Sequence, residues 1–255
     1  MEKGQQSLDM RHRSLDMRKQ CLNSAGERPT RHSRRRAFLP LLSLFTFTSC
    51  TTDPYESGDT STSYLRADFV EAHTVVAGQF DRVVTDDGVS LSLSPYAKAD
   101  WATTADSTYR ALLYYNKVEN GTTESVAAVS VPVLNIKPLA TGEQMHEDPV
   151  TLESSWVSKS GKYLNLGLLL KTGVADGVDN LQKVGVVLED IIENHDGTRQ
   201  VNLRFYHEQN GVPEYYSSRV YVSIPLNGLR KTDVIRLTVN TYQGEVVNFF
   251  TSFVL

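Results

Sequence analysis

From residue 64 onward, apolar residues recur at every second position in short runs that are separated by glycine, asparagine and aspartate. A period of two is typical of β-strands, because successive side chains of a strand point to opposite faces of the sheet. In the stretch 200–208, one face carries Val201, Leu203, Phe205 and His207. The alternation continues through both halves of this part of the chain, so the pattern predicts an all-β protein.

The first half of the patterned region, residues 64–138, contains about five such runs. Asp87-Gly88 and Asn120-Gly121 separate successive runs, and both dipeptides are typical of tight β-hairpin turns. Five antiparallel strands in about 75 residues suit a small closed barrel, which leaves few exposed edges. The sequence therefore predicts a five-stranded OB-like barrel in residues 64–138.

Residues 139–149 are polar, with few apolar positions, and form the predicted linker to a second domain at 150–255. That domain has about seven runs, which indicates an Ig-like β-sandwich. Asn210-Gly211 is predicted to join strands 200–208 and 215–224 as a hairpin. Residues 184–192 also fit a helical period, but their neighbours favour a strand, and residues 174–182 are predicted to be a loop.

The first 49 residues have the organisation of a signal peptide. Arg34-Arg35-Arg36 precede an apolar run of 13 residues that ends at Ser49, just before Cys50. Phe47-Thr48-Ser49-Cys50 resembles a bacterial lipobox, in which cleavage between Ser49 and Cys50 follows acylation of the cysteine thiol. The alternative is an ordinary secretory signal. Arg35-Arg36 also permit twin-arginine export, and the natural start could be an internal methionine.

Charge and composition exclude several classes of protein for the part of the chain that would be exported. Residues before Cys50 include ten basic and four acidic side chains, whereas those after it include 16 basic and 26 acidic ones, a net charge of −10. Such an excess of acid argues against nucleic-acid binding. No apolar run reaches the length of a membrane-spanning helix, and two cysteines provide no disulfide scaffold. Residues 50–63 are polar and form a predicted flexible tether behind the acylated cysteine.

Candidate catalytic and metal-binding groups are few. The exported part has four histidines, His73, His146, His195 and His207, and none lies in a hydrolase or metalloprotease motif. His207 is predicted to be a buried histidine rather than a general base. His146-Glu147-Asp148 are adjacent, so their side chains diverge. The oxygen-rich stretch 189–197 is predicted to be a turn, with calcium binding as the alternative. No cofactor is expected.

Aromatic side chains are the remaining candidates for a binding surface. Several tyrosines and two tryptophans lie on predicted strands, where most of them are needed for packing. Tyr206 and Tyr221 are both expected to point outward on facing strands of the predicted 200–224 hairpin. This pair is the predicted exposed aromatic patch.

Taken together, several segments resemble the NigD-like lipoproteins of Gram-negative gut and oral anaerobes. They are the cysteine of the lipobox, the short tether, the five-strand segment, and the motifs Trp156, Lys162-Tyr163-Leu164-Asn165-Leu166 and Leu203 to Gly211. The resemblance spans residues 50–255. It implies an N-terminal OB-like domain and a C-terminal β-sandwich, but no catalytic residues.

The expected function is that of a lipid-anchored protein of the bacterial envelope that binds a partner without catalysis. Acylated Cys50 would hold it in a membrane, and Thr51 after that cysteine favours the outer membrane. A glycan, a peptide or another envelope protein is the expected partner, and nucleic acid is excluded. The alternatives are an envelope hydrolase that uses carboxylates and a bacteriocin-immunity or stress-protection lipoprotein.

Overall fold

The computed structural model describes residues 64–251, which form strands, turns and loops without a helix. The all-β prediction is confirmed. Across this range there is accordingly no apolar helix that could cross a membrane. Ser49, Cys50, the signal peptide and the tether lie outside the described residues.

The first sheet has six strands. Their bounds are β1 (Arg66–Val76), β2 (Gln79–Thr85), β3 (Ser90–Lys98), β4 (Ser107–Tyr115), β5 (Thr122–Thr123) and β6 (Ser125–Ser130). The order across the sheet is β5-β3-β2-β1-β4-β6. Since Glu124 alone separates β5 from β6, one stretch of chain pairs with β3 at one edge and with β4 at the other. The sheet therefore curls into the predicted OB-like barrel.

The barrel is filled by side chains that alternate along its strands. Phe80, Leu113 and Tyr115 are its largest fully buried side chains. Small residues, Ala72, Ala97, Ala99, Ala102 and Ala111, complete the cluster. Trp101 closes one side, with its ring 5.5 Å from that of Phe80 and its indole nitrogen donating to the Ala128 carbonyl oxygen. The period of two thus places large and small residues inside the barrel, as a narrow interior requires.

Eight further strands form two sheets. They are β7 (Ile136–Pro138), β8 (Thr151–Val157), β9 (Tyr163–Thr172), β10 (Lys183–Glu193), β11 (Arg199–Glu208), β12 (Tyr216–Pro225), β13 (Val234–Thr241) and β14 (Gly244–Thr251). One sheet has the order β14-β13-β11-β10-β7 and the other β12-β9-β8. β7 and β10 are parallel, as are β11 and β13, so this β-sandwich is not wholly antiparallel.

The sheet of β8, β9 and β12 is the middle layer of the molecule. Its leucine-rich face carries the buried residues Leu164, Leu166, Leu168, Leu170, Val222 and Ile224. These side chains complete the sandwich core with Val201, Leu203, Phe205, Ile235, Leu237 and Val239 of the five-stranded sheet. The opposite face, which carries Trp156 and Tyr221, packs on Phe69 of the barrel. One sheet therefore serves both the sandwich core and the contact with the barrel.

Two predicted details of the second half are settled by these sheets. The stretch 184–192 lies in β10, as predicted, and residues 173–182 form no strand. The predicted hairpin of strands 200–208 and 215–224 is wrong, because β12 pairs with β9. Both edges of β11 are occupied by β10 and β13, which leaves no edge for β12.

The position of the domain boundary stays a prediction. β7, which precedes the predicted linker 139–149, pairs with β10 of the five-stranded sheet. Within the linker, Glu147 forms a bridge with His207. These residues therefore have backbone contacts with the sandwich.

Candidate functional site

The two tyrosines predicted to form one exposed patch lie in different sheets. Tyr206, on β11, is only 7% exposed. The ring of His146 covers it at a centroid distance of 5.8 Å, and its hydroxyl donates to Glu208. Tyr221, on β12, is half-buried, and its ring packs edge-on against Phe69 at 5.4 Å. The predicted patch of Tyr206 and Tyr221 is therefore wrong, because the hairpin that would have joined them does not form.

A buried arginine lies where the barrel meets the middle sheet. The Arg110 side chain, on β4, is 1% exposed and forms two hydrogen bonds with the Asp86 carboxylate, at 2.6 and 2.7 Å. It also donates to Ser223 and Asn165 of the middle sheet. Its guanidinium carbon lies 4.1 Å from the ring centroid of Tyr163. Such a bidentate, stacked arrangement suits arginine and no other side chain.

Around this arginine, a second polar group spans the junction. Glu71 of the barrel accepts hydrogen bonds from Lys162 at 2.7 Å and from the Tyr163 hydroxyl at 3.0 Å. Burial alone would raise the pKa of Glu71, but these hydrogen bonds hold it below its usual value. Burial and the charge of Glu71 raise the pKa of Tyr163 to about 12. The group is therefore a fixed ion pair with a neutral phenol beside it.

The cleft at this junction is small. Glu71, Asp86, Ser160 and Lys162 line a space of about 40 Å³. Ligand pockets are usually several hundred Å³, so this cleft has room for a few water molecules only. The junction therefore connects the barrel to the sandwich and is not a candidate ligand site.

His207 has structural partners. His207 is 1% exposed, with Nδ1 2.9 Å from the Asp148 carbonyl oxygen and Nε2 3.1 Å from Gln182 Oε1. Burial lowers its pKa. The interpretation of His207 as a buried structural histidine is confirmed.

His73 has a different environment on the barrel. Its two ring nitrogens contact Asp81 at 2.8 Å and Asp106 at 3.1 Å. Hydrogen bonds with these carboxylates raise the pKa of His73 and favour its protonated form. A general base must be neutral to accept a proton, so these partners work against that role. Asp106 lies 33 positions from His73 along the chain, so no local sequence pattern connects these residues.

The acidic segments are used for turns and ion pairs. His146, Glu147 and Asp148 diverge as predicted: His146 packs edge-on against Tyr206, Glu147 pairs with Arg204 at 2.8 Å, and Asp148 accepts from the Gln209 amide. In the stretch 189–197, the Asp196 carboxylate accepts from the Thr198 amide within the turn between β10 and β11. The turn interpretation is confirmed only after Glu193, because Glu189, Asp190 and Glu193 lie in strand β10. Within residues 64–251, no group of three or more His, Cys, Asp or Glu side chains is arranged to hold a metal ion.

One arginine on the five-stranded sheet contacts several acidic side chains. Arg204, on β11, contacts the carboxylates of Glu147, Glu189 and Glu245 at 2.8, 2.5 and 2.6 Å. The side chain is 20% exposed and is surrounded by three acids. This cluster of one arginine and three glutamates is therefore net negative.

An exposed aromatic surface does exist, at one end of the sandwich. We call it the Tyr215 surface, and it consists of Lys171, Val174, Glu214, Tyr215 and Tyr242. Tyr215 is 70% exposed and Val174 is 72% exposed. Lys171 pairs with Glu214 at 3.1 Å, and its ammonium lies 4.4 Å from the ring centroid of Tyr242. The surface combines exposed rings with a charged pair, which is the composition of many binding surfaces.

The backbone positions the ring of Tyr215. A methyl group built on Gly173 would lie 2.8 Å from Tyr215 Cδ2, so the ring rests on the glycine backbone. Burial and the negative charge of Glu214 raise the pKa of Tyr242, which keeps its hydroxyl protonated. From the sequence, Tyr215 is the first residue of the predicted strand 215–224, and nothing distinguishes it from the other aromatic residues. The structure places it in the loop just before β12, where its ring has no sheet face to fill.

Comparison with known proteins identifies the sandwich. Residues 131–252 match the family model of the NigD-like C-terminal beta sandwich domain, so the resemblance found in the sequence is confirmed. No curated protein matches the chain.

Solved structures share the fold. A NigD-like immunity protein from Bacteroides caccae has a TM-score of 0.56 and 19% identity, and the match covers 74% of this chain and 97% of that one. A protein described as toxin-related, from Parabacteroides distasonis, has a TM-score of 0.54 and 18% identity, with 73% and 92% covered. A protein described as a lipoprotein, from Bacteroides fragilis, has a TM-score of 0.51 and 12% identity, with 74% and 98% covered. At these identities the likeness establishes the fold alone.

Proposed function

We propose that this chain, in which residues 131–252 form a NigD-like C-terminal β-sandwich domain, is a lipid-anchored immunity-type protein of the bacterial envelope. It acts by binding a polypeptide partner and not by catalysis. The observation that carries the proposal is the Tyr215 surface, which leaves two tyrosine rings and an ion pair accessible at one end of the sandwich. Tyrosine is enriched among the residues that dominate the energy of protein interfaces.

The anchor rests on the sequence around Cys50. An acylated cysteine followed by a polar tether of 13 residues, 51–63, would hold the β-domains near a membrane surface. The relative from Bacteroides fragilis, which shares the fold, is described as a lipoprotein. This supports a place in the envelope, and the outer membrane remains the favoured location.

The choice of a polypeptide partner rests on charge and on the structural relatives. Residues after Cys50 carry a net charge of −10, which would attract a cationic polypeptide and repel nucleic acid. Two proteins of the same fold are described as an immunity protein and as toxin-related. A secreted antibacterial polypeptide is therefore the partner class that we propose.

Catalysis by carboxylates is the less favoured function. The acids with well-defined surroundings are engaged: Asp86 with Arg110, Asp233 with Arg199, and Glu153 with Arg219. A glycosidase would need one carboxyl group with a raised pKa. The pKa values of Glu71, Asp81, Glu208 and Asp233 are instead lowered by their hydrogen-bonded partners.

The test is complementation in the source bacterium. Deletion of the gene should increase sensitivity to antibacterial polypeptides secreted by competing strains, and the wild-type gene should restore protection. The double variant Tyr215→Ala, Tyr242→Ala should fail to restore it, whereas Tyr96→Ala should succeed, because Tyr96 is a comparably exposed tyrosine on the barrel, at 53%. Equal protection by all three genes would contradict a role for the Tyr215 surface.

Two further measurements separate the parts of the proposal. Cys50→Ser should release the protein from membranes and abolish fatty-acid labelling, whereas Cys21→Ser should change neither. If the Cys50→Ser variant still partitions with membranes, the anchor is wrong. Binding to polysaccharides on a glycan array that disappears in the double tyrosine variant would identify a glycan as the partner in place of a polypeptide.

A further inference from the structure

Strand β14 lies at the edge of the five-stranded sheet and exposes apolar side chains. Within the described residues, β14 pairs with β13 and with no other strand. Phe249 is 61% exposed and Val247 is 36% exposed. Edge strands usually carry charge, proline or a bulge that prevents pairing with another chain. The stretch from Val246 to Thr251 has none of these, and it contains four apolar side chains.

The order of residues in β14 is nearly symmetric about Asn248. The sequence reads Val246-Val247-Asn248-Phe249-Phe250, with two β-branched residues on one side and two aromatic residues on the other. If two such strands run antiparallel with Asn248 opposite Asn248, Val247 faces Phe249 and Val246 faces Phe250 in both halves. Pairs of an aromatic and a β-branched residue are among the favourable cross-strand contacts. Self-pairing in this register therefore places apolar side chains only against apolar ones.

The same register avoids contacts between like charges. Glu245 lies opposite Thr251, three positions from the centre on each side. Glu245 is also paired with Arg204 of its own sheet at 2.6 Å. A shift of the register by two residues would place Phe249 against Glu245 in one direction, or Val247 against Thr251 in the other. The chemistry of the strand thus selects one register.

We propose that β14 is a dimerisation strand that pairs antiparallel with β14 of a second copy of this chain, centred on Asn248. Two five-stranded sheets then form one continuous sheet across a two-fold axis. The second copy satisfies the outward-facing backbone groups of the edge strand and covers Phe249 and Val247. It also places two Tyr215 surfaces on one assembly, because Tyr242 lies just before β14.

The register is tested by cysteine cross-linking of the full-length chain in its own host. Residues directly opposite in an antiparallel pair have Cα atoms about 4.5–5.5 Å apart, within the range of a disulfide. Diagonal residues are about 7–8 Å apart. Asn248→Cys should therefore give a reducible dimer on gels. Val247→Cys should not, because Val247 of one copy lies diagonal to Val247 of the other. The wild-type chain, with Cys21 and Cys50, is the background control.

A second measurement needs no cysteine. The wild-type acylated protein, extracted in detergent, should have the mass of a dimer by light scattering. Phe249→Arg should give a monomer, whereas Val126→Arg, at a 52% exposed valine on the barrel, should remain a dimer. A monomeric wild-type protein overturns the proposal. So does cross-linking that is equal at positions 247 and 248, or absent at both.

Discussion

Two histidines illustrate how the surroundings decide the chemistry of a single residue. His73 and His207 both lie on strands. In each ring, both nitrogens lie close to an oxygen atom, a different one for each nitrogen. The acceptors of His73 are carboxylates, which favour the charged ring. Those of His207 are a carbonyl and an amide oxygen in a buried site, where desolvation favours the neutral ring. The pKa is raised in the first case and lowered in the second.

The opposite shifts predict opposite effects on stability against pH. The pKa of His207 is lower in the folded protein than in the unfolded chain, so on acidification this histidine is protonated first in the unfolded chain. Stability is therefore lost as pH falls below the unfolded pKa of 6.5. His73 has a raised pKa, so its contribution is fully present below pH 6.5 and is lost as pH rises through its folded pKa. Between about pH 7.5 and about pH 5.5, His207→Gln should flatten the loss of stability on acidification, and His73→Gln should steepen it.

Urea midpoints at several pH values measure both effects. The lowered pKa values of Glu71, Asp81, Glu208 and Asp233 act mainly below this window, since their unfolded values are 4.5 or 3.8. Parallel pH profiles for the two variants would show that neither histidine titrates as described here.

Strands and turns follow local rules, but the pairing of strands does not. Asn120-Gly121 and Asn210-Gly211 both have positive φ at both residues, 51° and 75° in the first and 51° and 70° in the second. These values suit a type I′ turn, as predicted. After the first turn the chain pairs again with β4, through β6. After the second it crosses to β9, because β11 already has two neighbours.

The space around two strand glycines predicts which of them tolerates replacement by alanine. Gly167 lies on β9 at the face that meets the barrel, and a methyl group there would be 2.6 Å from Ser154 Oγ and 3.1 Å from Tyr221 Cε1. Gly167→Ala should therefore lower the free energy of unfolding by about 1–3 kcal/mol. Gly185, on β10, is a matched control, since its nearest atom would be 3.6 Å away.

Urea unfolding of both alanine variants provides the comparison. Gly185→Ala should change the free energy of unfolding by no more than about 0.5 kcal/mol. Equal stability of the two variants would mean that Ser154 and Tyr221 move aside without cost.

At the scale of the molecule, two kinds of contact join the barrel to the sandwich: a buried network of hydrogen bonds and a cluster of aromatic rings beside it. Asn165 and Ser223 of the middle sheet hydrogen-bond to each other at 2.7 Å and to Arg110 of the barrel. Phe69 packs against Trp156 and Tyr221 around them. The described residues accordingly lie in one compact unit. These contacts hold the sandwich against the barrel.

Removal of Arg110 should weaken that contact strongly. Arg110→Ala leaves the mostly buried Asp86 carboxylate without its cationic partner, with only the Asn165 amide still donating to it, which should cost about 3–5 kcal/mol of unfolding free energy. Arg219→Ala is the control, because Arg219 also forms two hydrogen bonds with a carboxylate, that of Glu153, but is 58% exposed. Its loss should cost much less than the loss of Arg110, because solvent screens an exposed ion pair.

Tryptophan fluorescence during urea unfolding reports on both parts, since Trp101 belongs to the barrel and Trp156 to the junction. Similar losses for the two arginine variants would argue against a special role for Arg110.

The amino-acid sequence by itself determined the all-β class, the alternation that places Leu164, Leu166, Leu168 and Leu170 on one buried face, and the glycine turns. It also predicts the export signal that ends at Cys50. Each of these depends on residues that are close along the chain: a period of two, a dipeptide turn, a charged stretch before an apolar one. Only the tertiary structure decided that β12 pairs with β9, that Tyr206 lies beneath His146, and that Tyr215 and Tyr242 share an exposed surface. Those outcomes depend on which strand edges and faces remain available after distant segments have packed, and local patterns carry no information on that competition.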